Sequence, residues 1–242
     1  MTNLKSTSEL KASVREQALD KYGTLIGADI LYAVIVFFVS AIATFTANDV
    51  VQLIINELIV LIIYILIGIL VSGKTYLYMN LVYSQTVSIS DLFFGFKKNP
   101  EKAVIIQAFF VIIDFVVGLP ASYLVYLLRQ TKSPSSSLIT FGLIAVLVEL
   151  IVNIYIRITY SQAFYLLHDF PDRSAKELLA TSHRIMNGYR LRLLVLNLTF
   201  VPLYLLGILT LGIPLLWVNV YRNGTLAAFY QALIMLKAKK SE

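Results

Sequence analysis

The sequence contains no cysteine, only two histidines and one tryptophan, and only 14% of its 242 residues are charged. Without cysteine the chain can form no disulfide, no thiol nucleophile and no thiolate metal site. Soluble globular domains carry about 25% charged residues, so the scarcity of charge argues against that class. The sequence also has no G-x-S-x-G, P-loop or H-E-x-x-H motif, which leaves hydrolase, ATPase and zinc-protease functions without support. We therefore predict no catalytic residue, no metal, no cofactor and no enzymatic activity.

Apolar runs dominate what is present. Hydrophobic residues make up 58% of the sequence, and its mean hydropathy is +0.78. Several runs approach or exceed the ~20 residues that a helix needs to cross a ~30 Å hydrocarbon core. None of them alternates as the ~10-residue strands of a membrane β-barrel do. The sequence thus predicts an all-α membrane protein, with six transmembrane helices at residues 23–45, 50–71, 103–128, 138–167, 193–209 and 213–236.

Polar segments separate these runs. Residues 1–22 carry mixed charge and no cleavage-like site, which predicts a cytoplasmic amphipathic tail rather than a signal peptide. Residues 88–98 and 174–190 each begin with a helix-capping serine and predict two interfacial amphipathic helices on the cytoplasmic side. For the second of these helices, a plain connector packed under the bundle is the alternative. Residues 237–242 are predicted to form a basic cytoplasmic tail.

The distribution of lysine and arginine predicts the orientation. Sixteen of them fall in the N-terminal segment, in the loops after the second and fourth spans and in the C-terminal tail, against Arg129 and Lys132 on the opposite side. Both termini are therefore expected in the cytoplasm. The net charge of +6 also occurs in nucleic-acid-binding proteins, but these basic residues flank apolar runs, so we expect no nucleic acid partner. The expected partner is a bilayer with an anionic cytoplasmic leaflet, contacted through Arg173, Lys176, Arg184, Arg190 and Arg192.

The two halves of the chain share a short repeated sequence. Residues 57–60 in the second span and residues 149–152 in the fourth both read Glu-Leu-Ile-Val. Each of these spans is followed by an aromatic stretch, a serine-capped interfacial helix and a new span. Both copies would enter the membrane in the same direction, so we hypothesise a duplicated unit and a parallel internal repeat.

Several short motifs stand out along the chain. They lie at residues 163–171, 182–188 (SHRIMNG), 209–214 (LTLGIP) and 229–230 in the C-terminal half, with Gly73 and 94–96 in the first half. These motifs are similar to those of the uncharacterised bacterial integral membrane proteins of domain of unknown function 975, which are common in Firmicutes. The resemblance covers about residues 10–236, with Val220-Tyr221 standing where the family pattern leads us to expect a proline before the tyrosine. It implies a six-span protein of the bacterial plasma membrane and supplies no activity.

Ionisable residues inside the predicted spans are the clearest functional pointers, because charge is costly in the hydrocarbon region. Glu149 and Arg157 share one helix face about 12 Å apart along the axis, with Asn153 between them. Because buried charges are usually paired, we expect an ion pair of Arg222 with Glu149, Asp114 or Glu57. A polar substrate or proton path is one alternative, and a position of these charges at an interface is another. The hypothesised ligand or polar site comprises Asp114, Glu149, Asn153, Arg157, Asn219, Arg222 and Glu57.

Two further groups of polar residues leave alternatives open. Residues 219–224 interrupt the last apolar run, which predicts either a discontinuous helix that lines a cavity, as in transporters, or a span that begins only after this patch. His168 and His183, with Asp169 and Asp172, form a histidine–carboxylate cluster in the sequence. Their spacing matches no zinc signature, so we expect solvated or headgroup-facing side chains.

Three hypotheses on function follow. The first is a non-enzymatic membrane protein that handles a lipid or small amphiphile, or serves a transport or envelope-stress system, through a polar cavity around Glu149, Arg222 and Asp114. The second is a scaffold or accessory subunit with a membrane-protein partner, in which the charges only lock the helices together. The third is an enzyme that acts on lipid headgroups near His168 and His183. We favour the first.

Overall fold

The computed structural model describes residues 4–43, 50–131, 133 and 135–239, and these residues form helices, turns and short connections without a β-strand. The all-α prediction is confirmed for this part of the chain. Residues 44–49, which end the first predicted span and separate it from the second, lie outside it, as do Lys132 and the ends of both predicted tails. A 3-10 helix covers Ile89–Phe93. The α-helices are α1 Thr7–Ala18, α2 Tyr22–Ala43, α3 Val50–Leu66, α4 Gly68–Val82, α5 Phe94–Lys97, α6 Pro100–Gln130, α7 Ser136–Thr159, α8 Ala163–Asp169, α9 Ala175–Met186, α10 Arg190–Leu198, α11 Val201–Leu209 and α12 Leu215–Ala238.

Five helical segments of the described residues are long and apolar enough to cross a membrane. They correspond to the first five predicted spans, and α3–α4, α7–α8 and α10–α11 each make one segment from two helices. α12 has 24 residues but does not meet the same standard, because Asn219, Arg222 and Asn223 interrupt its apolar sequence. The five segments are Tyr22–Ala41, Ile54–Val82, Pro100–Gln130, Ser136–Asp169 and Arg190–Leu209.

Burial divides the bundle into a packed layer and a lipid-facing layer. The packed layer consists of α1, α4, α5, α8, α9 and the C-terminal half of α12, where Phe229, Tyr230 and Leu233 are fully buried. The lipid-facing layer consists of α3, α7, α11 and the second halves of α2 and α6. Leu209 at the end of α11 is 80% exposed, and Leu211 in the connection that follows it is 92% exposed. Contiguous apolar surface of this kind is what a bilayer covers.

Glycines let the 3-10 helix and α5 dock directly on the backbone of α4. A Cβ at Gly73 would lie 1.8 Å from the Leu92 carbonyl oxygen, and a Cβ at Gly95 would lie 2.2 Å from the Ile69 carbonyl oxygen. No larger residue fits at either position without moving the backbone. Gly73 and Gly95 are therefore needed for this contact, which gives a physical reason for their place in the family resemblance.

Three helices, namely α1, the 3-10 helix and α9, begin with the same capping box. In each of them a serine and an acidic residue three positions later exchange hydrogen bonds with each other's backbone, and the next residue is a buried leucine. α1 is one of the three, and it is docked on α12, since a Cβ at Gly224 would lie 2.6 Å from Val14 Cγ1. The three sets are Ser6, Glu9 and Leu10; Ser88, Asp91 and Leu92; and Ser174, Glu177 and Leu178.

Candidate functional site

α12 runs unbroken from Leu215 to Ala238 through the polar patch at residues 219–224. The expectation of a discontinuous helix at this patch is therefore wrong, while a span that begins only after the patch stays a prediction. Neighbouring helices satisfy the polar side chains instead. For example, Asn219 Oδ1 accepts a 2.7 Å hydrogen bond from the Tyr204 hydroxyl of α11.

Arg222 is bonded to an amide rather than to a carboxylate. Its Nε and Nη2 donate to Asn197 Oδ1 of α10 at 3.1 and 2.7 Å. Asn197 Nδ2 donates in turn to the Leu193 carbonyl oxygen at 2.9 Å, which turns the amide oxygen toward the guanidinium. The described residues form two ion pairs, and Arg222 belongs to neither. The expected ion pair of Arg222 with Glu149, Asp114 or Glu57 is wrong.

Asp29 joins α2, α4 and α12 through a buried ion pair. Lys74 Nζ lies 3.2 Å from Asp29 Oδ1, and the two side chains are only 23% and 7% exposed. The Tyr78 hydroxyl and Asn223 Nδ2 donate to Asp29 Oδ2 at 2.9 and 3.4 Å. A buried charge with several partners on three helices holds those helices in register. The α12 patch is therefore part of helix packing.

Polar residues also follow the contact between α6 and α7. Asp114 Oδ2 and Arg157 Nη2 are 3.8 Å apart, and their side chains are 45% and 64% exposed. Glu149 lies against Gly118, where a Cβ would stand 3.2 Å from Glu149 Oε1. Asn153 falls between Glu149 and Arg157 on α7 and is half-buried. These five residues are named the α6–α7 seam.

The seven predicted site residues are thus divided among three places rather than gathered in one cavity. Four of them lie in the α6–α7 seam. Glu57 lies half-buried on α3. Asn219 and Arg222 lie on α12 and bond to α11 and α10.

A groove opens between α9, the N-terminal part of α6 and the junction of α7 with α8. Its volume is about 670 Å³. The residues that α9 contributes recur every three or four positions, so they form one continuous face of that helix. None of the lining residues is acidic. The α9 groove is lined by Phe109, Tyr160, Lys176, Leu179, Ala180, His183, Arg184 and Asn187.

The α9 groove combines an aromatic wall with a basic rim. Phe109 and Tyr160 meet edge to face with ring centroids 4.7 Å apart, and the His183 ring lies 5.7 Å from the Tyr160 ring. Arg190 Nη2 lies 3.3 Å from His183 Nε2, and since a guanidinium can only donate, the ring nitrogen is the acceptor of this bond. Arg190 Nη1 donates to the Tyr155 hydroxyl at 3.1 Å. Cations beside aromatic rings suit a ligand with an anionic head and an apolar body.

Ser182 holds α9 against the break between α7 and α8. Its hydroxyl donates to the Thr159 carbonyl oxygen at 3.3 Å and accepts from the Gln162 backbone N–H at 3.2 Å. These bonds take the place of some of the backbone hydrogen bonds that are missing where the helix is interrupted. Gln162 Nε2 also approaches Met186 Sδ at 3.6 Å. The contacts explain the Ser-x-x-x-Met spacing of the family resemblance, because Ser182 and Met186 lie one turn apart on the buried face of α9.

The first turn of α9 is held by a charged cap. The backbone N–H and the hydroxyl of Ser174 donate to Glu177 Oε2 at 2.8 and 2.9 Å. Hydrogen bonds from the Ser174 backbone and then from its side chain hold the pKa of the Glu177 carboxyl below its ordinary value. The cap therefore fixes the end of the helix from which Lys176 enters the groove.

The two histidines lie in different surroundings. His168 Nε2 is 2.9 Å from the Ser72 carbonyl oxygen, and its ring borders a small pocket of about 110 Å³. Asp169 Oδ2 accepts hydrogen bonds from the hydroxyls of Tyr83 and Tyr230 at 3.2 and 2.5 Å. His168 is thus tied into the packed layer rather than solvated as expected. Within the described part of the chain, no three metal-ligating side chains come together.

The basic residues that were predicted to contact the membrane surface have different positions. Lys176 and Arg184 line the α9 groove, and Arg190 borders it through His183. Arg173 lies over the Phe170 ring, 4.7 Å from its centroid. Arg192 instead donates to two backbone carbonyls of the N-terminal segment and fastens that segment to α10.

Sequence reasoning missed the apolar wall of the groove. Phe109 and Tyr160 come from two different helices, and neither belongs to a motif. The sequence offered one indication, at Tyr160, because an aromatic residue at the polar end of an apolar run is typical of a membrane interface.

Comparisons with known proteins identify a family and nothing narrower. No curated protein and no solved structure gives a significant match to the chain. The resemblance noted in the sequence is confirmed by a family model that covers the packed layer, the α6–α7 seam and the α9 groove. Because that model matches residues 1–237, the chain belongs to the family described as protein of unknown function, DUF975.

Proposed function

We propose that this is an integral membrane protein that binds the phosphate-bearing headgroup of an anionic lipid in the α9 groove. The composition of the groove carries the proposal, since two cations, an imidazole and an amide share it with aromatic and aliphatic side chains and no carboxylate. An arginine offers paired hydrogen bonds to phosphate, and a lysine offers a compact charge. The aromatic wall and Leu179 would contact the glycerol and the first methylenes of the chains.

The level of the groove relative to the lipid-facing layer supports a lipid ligand. α7 rises about 29 Å from Ser136 to Tyr155, which matches the ~30 Å thickness of a hydrocarbon core. Arg190 bonds to the Tyr155 hydroxyl, so a cation and a tyrosine mark one edge of this layer, as they do at membrane interfaces. Tyr160 lies about 7 Å beyond Tyr155 along the helix, a distance that corresponds to the headgroup layer.

The proposal includes six crossings of a bacterial plasma membrane with both termini in the cytoplasm. α12 would be the sixth crossing, since it rises about 36 Å and its polar side chains are bonded to other helices. The distribution of lysine and arginine supports this orientation. The α9 groove would then face the cytoplasmic leaflet, which carries the anionic lipids that a basic site attracts.

The proposal also extends the parallel repeat from two units to three. The three serine-capped helices each precede a helical hairpin: α1 precedes α2 and α3–α4, the 3-10 helix and α5 precede α6 and α7–α8, and α9 precedes α10–α11 and α12. The shared capping box and the buried leucine after it support the third unit. On this view the groove is built from the capping helix of the third unit and the hairpin of the second.

Lipid retention by the purified protein tests the headgroup site. Native mass spectrometry in detergent measures how many molecules of phosphatidylglycerol and of phosphatidylcholine stay bound to each chain. We expect the wild type to retain phosphatidylglycerol preferentially and Lys176→Gln/Arg184→Gln to lose this preference. The matched control Lys97→Gln/Lys239→Gln removes the same charge from exposed residues that do not line the groove, and it should behave as wild type.

Inorganic phosphate distinguishes a lipid ligand from a free anion. We expect excess phosphate not to displace phosphatidylglycerol, because the lipid also contacts the aromatic wall; displacement would show that the groove takes a free phosphate. Equal retention by the groove variant and its control would show that the groove is not the site. The scaffold hypothesis, which the bonded polar residues of α12 favour, predicts no preference between the two lipids in the same measurement.

A further inference from the structure

The α6–α7 seam places charge on the lipid-facing layer. Its ion pair is long, at 3.8 Å, and about half of both side chains is exposed. Charged side chains at membrane depth usually face the bundle interior or a water-filled cavity. Locking helices together does not require such exposure, since the ion pair of Asp29 and Lys74 joins helices with both partners mostly covered. The seam therefore has the composition of a surface that meets a polar group on its outer side.

The seam continues directly from the α9 groove. Phe109 and Tyr160 are in contact where α6 and the end of α7 form the wall of the groove. The ion pair of the seam comes next along both helices, and Glu149 against Gly118 follows it. α6 rises about 13 Å from Phe109 to Gly118. Polar contacts thus lead from the proposed headgroup layer into the lipid-facing layer without a gap longer than about two helical turns.

A ridge of small and polar residues extends this line toward the other end of α6. Its members recur every fourth residue, so they follow one i±4 row of the helix surface. Together they cover about 24 Å, which is most of the thickness of a hydrocarbon core. Ser122 and Gln130 are exposed. The ridge consists of Asp114, Gly118, Ser122, Tyr126 and Gln130.

We propose that the seam and this ridge guide the headgroup of a lipid between the α9 groove and the opposite leaflet, while the acyl chains stay in the bilayer. This activity, passive movement of anionic lipid between leaflets, rests on the proposed headgroup site. A headgroup that crosses bare hydrocarbon leaves its hydrogen bonds with water unmade, which opposes spontaneous crossing. The guanidinium of Arg157, the amide of Asn153 and the hydroxyls of the ridge would replace part of those bonds along the way.

Bleaching of a fluorescent lipid in proteoliposomes tests the inference. Dithionite bleaches only the outer leaflet of protein-free vesicles that contain tail-labelled fluorescent phosphatidylglycerol, and a trapped water-soluble dye verifies that the vesicles stay sealed. We expect the wild type to expose the inner-leaflet label as well. Ser122→Leu/Glu149→Leu should slow this second phase about tenfold and leave phosphatidylglycerol retention in detergent unchanged. The control Tyr123→Leu/Val148→Leu changes exposed sequence neighbours that lie off the ridge, and it should keep the wild-type rate.

A variant that misfolds would not obscure the result. Gel filtration and thermal unfolding check both double variants, and Ser122→Leu, which changes one exposed residue, replaces the double variant if that one is unstable. Glu149→Gln keeps a polar side chain of the same size and should move lipid at close to the wild-type rate.

Each result supports or overturns a defined part of the inference. A wild-type rate equal to that of protein-free vesicles, with lipid retention intact, overturns lipid movement and leaves the headgroup site standing. A seam variant as fast as wild type overturns the path. If Lys176→Gln/Arg184→Gln retains lipid as wild type does, the headgroup site fails and this inference fails with it.

Discussion

Replacing Ser182 by alanine tests how α9, and with it the groove, is held in place. The Ser182 hydroxyl is buried and bonds both to the Thr159 carbonyl oxygen and to the Gln162 N–H. Alanine removes both bonds and leaves a buried N–H without this partner. A buried donor left unsatisfied costs about 1–3 kcal/mol. We therefore expect the free energy of unfolding to fall by about 2 kcal/mol.

The assay has a global and a local readout. Denaturant titration in detergent micelles measures the free energy of unfolding, and hydrogen exchange measures the opening of α9. Because the lost bonds join α9 to the junction of α7 and α8, we expect faster exchange in α9 and weaker retention of phosphatidylglycerol. Thr181→Ala is the control, since the Thr181 hydroxyl takes part in an exposed 3.3 Å bond from Arg173, and its loss should cost less than about 1 kcal/mol.

The reasoning would be refuted by a small effect. If Ser182→Ala unfolds within about 0.5 kcal/mol of wild type, as surface substitutions usually do, the hydroxyl does not bridge the helix break. If stability falls but exchange in α9 stays unchanged, the bond contributes to the fold without positioning the groove.

Two further predictions concern a close backbone contact and the cap of α9. Gly73→Ala would place a methyl group 1.8 Å from a backbone oxygen of the 3-10 helix. We therefore expect thermal unfolding to show that this variant is destabilised by about 3 kcal/mol or more. The control Gly23→Ala, whose methyl group meets nothing within 4 Å, should be close to neutral. The folded-state pKa of Glu177 lies below the ordinary 4.5, so its stabilisation is complete above the unfolded-state pKa and is lost as pH falls through the folded-state pKa. Hydrogen exchange in the first turn of α9 should therefore rise in acid, and an identical acid profile in Glu177→Gln, which keeps the capping geometry, would contradict this.

The helices could be predicted from the sequence because a segment that faces lipid must satisfy its backbone internally and be apolar along its length. α7 illustrates this, since almost every large side chain of its middle turns is apolar and exposed. α12 shows the limit of the rule. Its neighbours cover or bond its polar side chains, so its hydropathy no longer reports its position in the bundle, and a polar patch in the sequence could be mistaken for a helix break.

Side-chain partners could not be predicted, because the sequence does not state how each helix is rotated or which helices are neighbours. Because buried charges usually pair with opposite charges, we predicted a carboxylate partner for Arg222, but the side chain that it bonds to is Asn197. The α9 groove was hidden for the same reason. Its wall joins Phe109 and Tyr160, which are distant in sequence and ordinary for an apolar protein.

Polar side chains whose hydrogen bonds are made within the protein differ from those that are left open to a ligand. The carboxylate of Asp29 meets three side chains in a mostly covered cluster, so a ligand would have to displace partners that already stabilise the fold. Lys176 and Arg184 face an open groove that contains no acidic residue, and the ion pair of the α6–α7 seam is long and half-exposed. Groups of this second kind retain donors for an external anion. Since charge near lipid is costly when nothing compensates it, the groove and the seam, rather than the more numerous polar contacts of α12, are the places where a headgroup would lower the free energy of the protein in its membrane.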